Sequence, residues 1–420
     1  MIRFRPVAGH RGGWLSSRVL WLGALVALVL VGAACGSKKT TTSTPQAGGT
    51  TAASDPYGVI RIKKGQAIDI GDSAVLSGSN AVLGEEQQNA VKLAVEQKGA
   101  IKGFSVNVVP GDDGCGDAAA ASAVANRFVS DASMAGVIGT TCSSGMLAAL
   151  PIYNKVHMVA ISPSATSGKL PQQGFDVFFR TAWNDDNQGP AQAKYVKDVL
   201  KAAKVAVLHD DSAYGQGLAA AFVKGYQDSS HQVVSNDQIT ANAPDYSSFI
   251  ARIKAKNPDF IYYAGFFPDS ATLLRQMHQA GLSVPFLSGD GSYDPGLIQK
   301  AGKDAEGAYV TRLTGGTGPQ TKAFDSAYQS KYGNVNGAFI AFAWDGANIL
   351  LNSIDKVAQV DSQTGDLLIG RKALRDAVAA TSYDGATGKI SFLKDGDREP
   401  SGLKLEVAKV ENGKFVVVTQ

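Results

Sequence analysis

The 420 residues include 40 lysines and arginines and 37 acidic residues, which gives a formal net charge of +3. Four arginines and no acidic residue fall within residues 1–34, so the remainder of the chain carries a net charge of about −1. A near-neutral body without a basic cluster argues against nucleic-acid binding, and metal-ligand spacings such as H-E-x-x-H or C-x-x-C are absent. We therefore expect no nucleic-acid partner, no metal and no cofactor.

The N-terminus has the three parts of an export signal. Scattered arginines precede an apolar run at residues 19–31, and small residues at 32–34 stand before Cys35. The run is shorter than the roughly 20 residues that a membrane helix needs, and this order is typical of a signal peptide. A cysteine directly after the small residues is typical of a lipobox. We predict a signal peptide at residues 1–34 and lipidation at Cys35; an ordinary secretory signal with a chance cysteine is the alternative.

The segment after the cysteine has the composition of a linker. It reads GSKKTTTSTPQAGGTTAASDP and contains almost no large apolar residue. Such a segment cannot bury enough apolar surface to fold. We therefore predict that residues 35–56 tether a globular body to the outer face of a bacterial cell membrane.

Apolar runs of strand length alternate with helical periodicity from residue 67 onward. The predicted strands are 67–70, 105–109, 136–138, 158–161, 205–208, 260–263 and 284–287, and the predicted helices include 88–97, 118–129, 192–200, 246–254 and 271–280. Such alternation predicts an α/β fold with parallel sheets covered by helices on both faces. Near the C-terminus, period-two alternation around Asn412-Gly413 predicts a β-hairpin.

Ligands bind such sheets at the carboxyl ends of the strands, where loops enter helix N-termini. Two successive loops there, TTCSSG at 140–145 and SPSAT at 162–166, offer hydroxyls and backbone N–H groups. They can hold a carboxylate, or their serines can cap the next helix. TTCSSG can also be a nucleophile turn, but G-x-S-x-G is absent and no pattern links a histidine to a serine.

The remaining cysteines, Cys115 and Cys142, predict a disulfide because a cysteine pair in an exported chain is usually oxidised. Closing this loop would stabilise the fold by about 3–4 kcal/mol in the chain-entropy model. A catalytic thiol at Cys142 is the alternative.

Three other patterns have both a structural and a functional interpretation. Asp290 lies between glycines in SGDG, where it can cap its own turn or face a cationic ligand group. The segment YGQGLAA at 214–220 resembles a dinucleotide fingerprint but begins six residues after its strand, so we predict a helix start. The acidic turn at 395–399 is followed by Pro400 where a calcium-binding loop requires glycine, so we predict a surface turn.

Seven motifs occur in a characteristic order: DDGCGD, TTCSSG, ISPSAT, FFRTAWNDDNQGPAQAKY, HDDSAYGQGLA, YYAGFFPDSATLLRQM and FLSGDGSYDP. Because these motifs stand in the order and spacing found in that family, the chain resembles the periplasmic-type leucine/isoleucine/valine-binding proteins. These are the extracellular solute receptors of branched-chain amino-acid ABC transporters. The resemblance implies two doubly wound parallel-sheet lobes joined by three hinge crossings, the type I periplasmic binding protein fold. It also implies that residues 57–184 and 314–393 form one lobe, and that residues 185–313 and 394–420 form the other.

The resemblance assigns ligand contacts to positions in both lobes. Ser143 and Thr166 match the positions that hold the α-carboxylate, and Ser164 matches a position whose backbone carbonyl meets the ammonium group. Asp290 matches the acidic residue that pairs with the ammonium group. It is one methylene shorter than the glutamate of the leucine-type binders, but it keeps the charge.

The side-chain pocket departs further from the leucine-type binders. Tyr214 matches an aromatic residue that closes over the ligand, and Phe266 and Phe339 match aromatic walls. Leu83 stands where the family usually has tyrosine or tryptophan beside the ligand side chain. Leucine itself is therefore not assured as the ligand.

The resemblance implies a receptor that binds its ligand by lobe closure and delivers it to a membrane permease. We expect a lipid-anchored, extracytoplasmic, monomeric protein that binds a small amino acid and is not an enzyme. A receptor for an amide, urea or an aromatic acid on the same fold is the first alternative. A secreted serine hydrolase that uses Ser143 or Ser144 is the alternative from another class.

Overall fold

The computed structural model describes residues 54–335 and 337–419. The predicted signal peptide, the predicted lipidation site Cys35 and the predicted tether up to residue 53 lie outside the described residues. Within the described part, no helix combines the length and the apolar character that a membrane span requires.

Strands of the described residues form two large sheets and two small ones. In chain order they are β1 (Val59–Ile62), β2 (Ile68–Ala74), β3 (Val106–Asp112), β4 (Met134–Gly139), β5 (Ala160–Ser162), β6 (Phe178–Arg180), β7 (Lys204–His209), β8 (Gln232–Gln238), β9 (Phe260–Ala264), β10 (Phe286–Ser288), β11 (Tyr309–Thr314), β12 (Gln359–Val360), β13 (Leu367–Gly370), β14 (Tyr383–Gly385), β15 (Gly388–Ile390), β16 (Lys404–Glu411) and β17 (Lys414–Val417).

Helices connect most of the successive strands. In chain order they are α1 (Ala81–Lys98), α2 (Ala118–Ser130), α3 (Ser143–Lys155), α4 (Asp185–Asp198), α5 (Ala213–Tyr226), α6 (Ser247–Lys254), α7 (Phe267–Gln279), α8 (Pro295–Ala301), α9 (Pro319–Tyr332), α10 (Ile340–Val357) and α11 (Arg371–Ala379).

The first lobe is built on a five-stranded parallel sheet with the order β3-β2-β4-β5-β6. Every residue of its central strand β4 is buried, because helices cover both faces. On one face, Ile138 packs in a cluster with residues of α1 and α10. On the other face, Val137 packs in a cluster with residues of α2 and α3. The sheet is therefore doubly wound, as predicted.

The second lobe is built on a seven-stranded sheet with the order β17-β16-β11-β10-β9-β7-β8. The strands from β7 to β11 are parallel to one another. β16 runs antiparallel to β11, and β17 runs antiparallel to β16. The last two strands form the predicted hairpin. Its turn residues Asn412 and Gly413 both have positive φ angles, 53° and 70°, as a type I′ turn requires.

The chain passes between the two sheets three times: between β6 and β7, between β11 and α9, and between β15 and β16. This agrees with the predicted number of crossings. The exact lobe boundaries given above remain a prediction.

A buried polar cluster, which we call the hinge network, ties two of these crossings together. It consists of Asp345 on α10 with Thr387 and Arg398 near the third crossing. Thr387 donates its backbone N–H and its hydroxyl to Asp345, at 2.8 and 2.5 Å. The Arg398 guanidinium donates to the Thr387 hydroxyl at 2.7 Å and to the carbonyl of Thr181, at the end of the first-lobe sheet, at 3.0 Å. The hinge is thus internally hydrogen-bonded.

The seven predicted strands and the five predicted helices are all present, with ends that differ by a few residues in most cases. Two helices, α1 and α4, begin seven residues before their predicted starts. The first turn of α4 is polar, and the first turn of α1 places Leu83 in a cavity wall. Neither turn continues the apolar period of a helix that packs on one sheet. The prediction omitted β6, β8 and β11 of the two large sheets and all strands of the two small sheets.

Candidate functional site

One cavity between the lobes collects most of the residues predicted to bind a ligand. It is lined by Leu83, Gln87, Thr141, Cys142, Ser143, Ser164, Tyr214, Phe266, Asp290, Gly291 and Phe339. Seven of the eight predicted ligand residues are in this set, and both lobes contribute. Thr166, the eighth, is fully buried but does not line the cavity.

The first-lobe wall is formed by loops that follow β4 and β5. Ser143 is the first residue of α3, and its Oγ accepts a hydrogen bond from Ser167 N at 3.1 Å. The neighbouring Ser144 Oγ accepts from Ala213 N of the second lobe at 3.0 Å. Neither serine caps its own helix, since the N-cap residue is Cys142 and no side chain caps that end. The capping interpretation of TTCSSG is therefore wrong.

The loop at residues 162–167 is held from behind by Arg180. This fully buried guanidinium donates to the carbonyls of Ala165 and Ser167, each at 3.0 Å. Its charge is balanced by Asp397, on the third crossing, at 2.6 Å. The ligand-facing loop and the hinge are thus connected through one side chain.

Thr166 lies one layer behind the cavity, against the start of α4. Its carbonyl accepts from Asp185 N at 2.9 Å. Its hydroxyl lies beside the Asp185 carboxylate and favours the charged form of that group. In this arrangement Thr166 supports an acidic residue and makes no direct contact with the cavity.

The second-lobe wall carries a buried carboxylate. Tyr214 Oη donates to Asp290 Oδ1 at 2.5 Å, and Gly291 N donates to the same oxygen at 2.9 Å. Oδ2 of Asp290 is buried and has no hydrogen-bond donor in bonding geometry among the described residues. Burial raises the pKa of Asp290, and this effect is larger than the opposite effect of the nearby Tyr214 hydroxyl and Gln188 amide, which lower it. A buried oxygen without a donor is costly unless a ligand supplies one.

The two glycines beside Asp290 allow the aromatic ring to approach. A Cβ atom added at Gly289 would lie 2.6 Å from Tyr214 Oη, and one added at Gly291 would lie 2.9 Å from Tyr214 Cε1. Both distances are too short for a carbon atom. The S-G-D-G pattern is therefore explained by the packing of Tyr214 against the Asp290 turn.

Apolar side chains complete the cavity. The rings of Tyr214 and Phe266 pack at a centroid distance of 5.2 Å. Leu83 on α1 and Phe339 just before α10 supply the first-lobe part of this surface. The cavity thus joins a polar floor to an apolar wall, which is typical of sites for small molecules.

The sequence analysis missed Asp185 and Gln87. Asp185, the first residue of α4, is fully buried, and its Oδ2 also lacks a hydrogen-bond donor among the described residues. Burial and then the nearby charge of Asp290 raise its pKa well above the ordinary value. Asp185 stands in the motif FFRTAWNDDNQGPAQAKY, to which the sequence analysis gave no ligand contact. Gln87 had no motif to mark it.

The predicted disulfide between Cys115 and Cys142 is present. Cys142 lines the cavity immediately before Ser143, so the bond anchors the loop that presents this serine. A catalytic thiol at this position is therefore excluded by the covalent structure. Within the described residues, no cluster of acidic, histidine or cysteine side chains could hold a metal ion.

Comparison with known proteins places this geometry in a family. The model of the periplasmic binding proteins matches residues 67–414. The Leu/Ile/Val-binding protein of Escherichia coli K12 is 35% identical over 329 residues, which cover 77% of this chain and 85% of that protein.

Solved structures agree with this relationship. The leucine-binding protein LivK of Thermotoga maritima superposes with a TM-score of 0.75 at 26% identity, covering 84% of this chain and 98% of that chain. The branched-chain amino acid transporter substrate-binding protein LivJ of Streptococcus pneumoniae, in complex with isoleucine, gives a TM-score of 0.74 at 27% identity, with 84% and 99% coverage. These relatives are solute-binding proteins and not enzymes. The chain therefore belongs to the family of periplasmic binding proteins of the leucine/isoleucine/valine-binding type.

Proposed function

We propose that this protein is the lipid-anchored, extracytoplasmic receptor of an ABC importer and that it binds a small amino acid by closure of its two lobes. The observation that carries the proposal is the unpartnered Oδ2 of Asp290 in a cavity whose opposite wall offers hydroxyls at a helix N-terminus. A positive group on one side and a negative group on the other would complete both walls. A zwitterionic amino acid carries these two groups about two bonds apart.

The positive end of the ligand would be held by the second lobe. Asp290 supplies the free oxygen, and the buried Asp185 is a second acidic group nearby, whose pKa the charge of Asp290 raises. An ammonium group beside Asp290 would reduce the repulsion between the two acids. Charge-assisted hydrogen bonds of this kind are roughly twice as strong as neutral ones.

The negative end would be held by the first lobe. Ser143 begins α3, whose N-terminal N–H groups and dipole favour an anion. Thr141 and Ser164 line the same wall, and backbone carbonyls there would face the ammonium end, as the resemblance implies for Ser164. Because the two ends of the ligand contact different lobes, binding would favour the closed state.

The alternatives fit this cavity less well. An aromatic acid has no positive group and would bring a third acidic group toward Asp185 and Asp290, and a neutral amide or urea would supply no cation to either of them. A serine hydrolase requires a base beside the nucleophile. No histidine is among the residues that line the cavity, and Ser143 Oγ already accepts a hydrogen bond from Ser167 N.

A thermal-shift screen against the protein amino acids tests the proposal. A ligand at one hundred times its Kd should stabilise the protein by about 2.7 kcal/mol. In Asp290→Ala we expect affinity for that ligand to fall by at least about 100-fold, since one partner of a buried charge pair is removed.

The matched control is Asp294→Asn. Asp294 is a buried acid four residues away that caps α8, with Oδ1 2.6 Å from Gly296 N, and it does not line the cavity. This variant should melt at a lower temperature and keep the ligand-induced shift. Full stabilisation of Asp290→Ala by amino acids would refute the assignment of the ammonium site.

A further inference from the structure

Gln87 is a polar side chain in the cavity wall for which the proposed ligand contacts give no role. It lies on α1, four residues after Leu83, so the two side chains share one face of the helix. Both line the cavity, and Gln87 is only 4% exposed. A buried amide has four hydrogen-bonding positions to fill.

The amide oxygen of Gln87 already has a hydrogen-bond partner in the protein. Ser164 Oγ donates to Gln87 Oε1 at 3.0 Å and also lies 2.8 Å from the carbonyl oxygen of Thr141. The contact with Ser164 fixes the orientation of the amide. Because an amide nitrogen is a donor, the other end of the Gln87 amide still needs an acceptor.

This orientation leaves Nε2 of Gln87 without an acceptor among the described residues. The proposed function assigns the charged ends of an amino acid to other groups, with Asp290 on the second lobe and Ser143 at the start of α3. Leu83, Gln87, Phe266 and Phe339 line the space that remains for the rest of the molecule. Apart from the Gln87 amide, this surface is apolar.

We infer that Gln87 is a specificity-determining residue that selects ligands whose side chain carries a hydrogen-bond acceptor, with a small hydroxy amino acid as the best fit. This inference rests on the proposed function and names the ligand class of the same cavity. An aliphatic side chain of equal size would leave the Gln87 N–H groups unpaired and dry. A hydroxyl next to the apolar surface of Leu83 would accept from Gln87 Nε2.

The test compares threonine with valine, which have nearly the same shape and differ in one hydroxyl. Isothermal titration of the full mature chain should give a Kd for threonine at least about tenfold below that for valine. In Gln87→Met, a variant of similar length without the amide donor, the ratio should fall to about one while valine binding is retained. Gln88→Met is the matched control, because its Oε1 contacts Lys92 at 2.6 Å and it does not line the cavity.

The outcomes separate this inference from the proposed function. A wild-type ratio near one, or tighter binding of valine, would overturn the role of Gln87 while amino-acid binding stands. Equal weakening of threonine and valine by Gln87→Met would show a contact with the part common to both ligands and would also overturn it. If no amino acid binds the wild-type chain, the proposed function fails and this inference fails with it. The wild-type ratio decides the question even where Gln87→Met does not fold.

Discussion

The cavity and the hinge each contain a fully buried aspartate, Asp290 and Asp345, but the two carboxylates are completed differently. Asp345 accepts from Ala386 N at 2.8 Å and from the backbone N–H and hydroxyl of Thr387, so both of its oxygens are bonded. Asp290 has one bonded oxygen and one without a donor among the described residues. The hinge carboxylate is completed by the protein, whereas in the proposed function the ligand completes the cavity carboxylate.

The comparison shows that a raised pKa alone does not identify the ligand site. Burial raises the pKa of Asp345 to about 6, in spite of its hydrogen bonds, and burial also raises the pKa of Asp290. Both groups are therefore perturbed for the same reason. An unfilled hydrogen-bonding position is not sufficient either, since Oδ2 of Asp294 is also buried without a donor. Asp290 combines such a position with a place in the cavity wall, and Asp294 does not.

Removal of the hinge carboxylate should have the largest effect on stability. Asp345→Ala would leave two backbone donors and the Thr387 hydroxyl without their buried acceptor and would remove the negative charge near Arg398, so we expect a loss of about 3–5 kcal/mol. Urea unfolding monitored by circular dichroism measures this loss. Asp384→Ala, at an exposed position nearby, is the control and should change stability by no more than about 0.5 kcal/mol. A loss below about 1 kcal/mol for Asp345→Ala would contradict a structural role for the hinge network.

The disulfide beside the cavity should have the next largest effect on the free energy of unfolding. Cys115 and Cys142 are 27 residues apart, and opening this loop should cost about 3–4 kcal/mol. The double substitution of both cysteines by serine should therefore lower the free energy of unfolding by this amount, as measured by the same urea titration. The single variants should lose about as much as the double variant. Near-additive losses from the single variants would indicate packing contributions in place of a shared bond.

The sequence allowed the fold and most of the cavity to be predicted, since both depend on patterns that are local in the chain. Strand and helix alternation was visible, and Ser143, Tyr214 and Asp290 stand in motifs at strand ends. Gln87 and Asp185 were missed because each lies in the first turns of a helix that contributes to the space between the lobes. Their roles depend on neighbours distant in the chain, such as Ser164 for Gln87 and Asp290 for Asp185. Apolar periodicity reports only the packing of a helix on its own sheet and carries no signal for these contacts.

The smallest expected effect is also the most specific to the cavity, and it depends on pH. Because burial raises the folded-state pKa of Asp290 above its ordinary value of 3.8, the folded protein holds a proton that the unfolded chain has already released. Stability without ligand should thus fall as the pH rises from 3.8 through the folded-state pKa. Asp290→Asn has no charge to bury, and it also relieves Asp185, whose pKa the Asp290 charge raises.

Without ligand, Asp290→Asn and the wild type should therefore have similar stability near pH 4. Toward neutral pH the variant should become the more stable of the two by about 1 kcal/mol, which is the low end of the cost of an unpaired buried polar atom. Melting curves between pH 4 and pH 8 measure the difference. With a bound amino acid at neutral pH the order should reverse, because only the carboxylate pairs with an ammonium group. A variant less stable than the unliganded wild type at every pH would mean that Asp290, like Asp345, is completed within the protein, and the contrast between cavity and hinge would not hold.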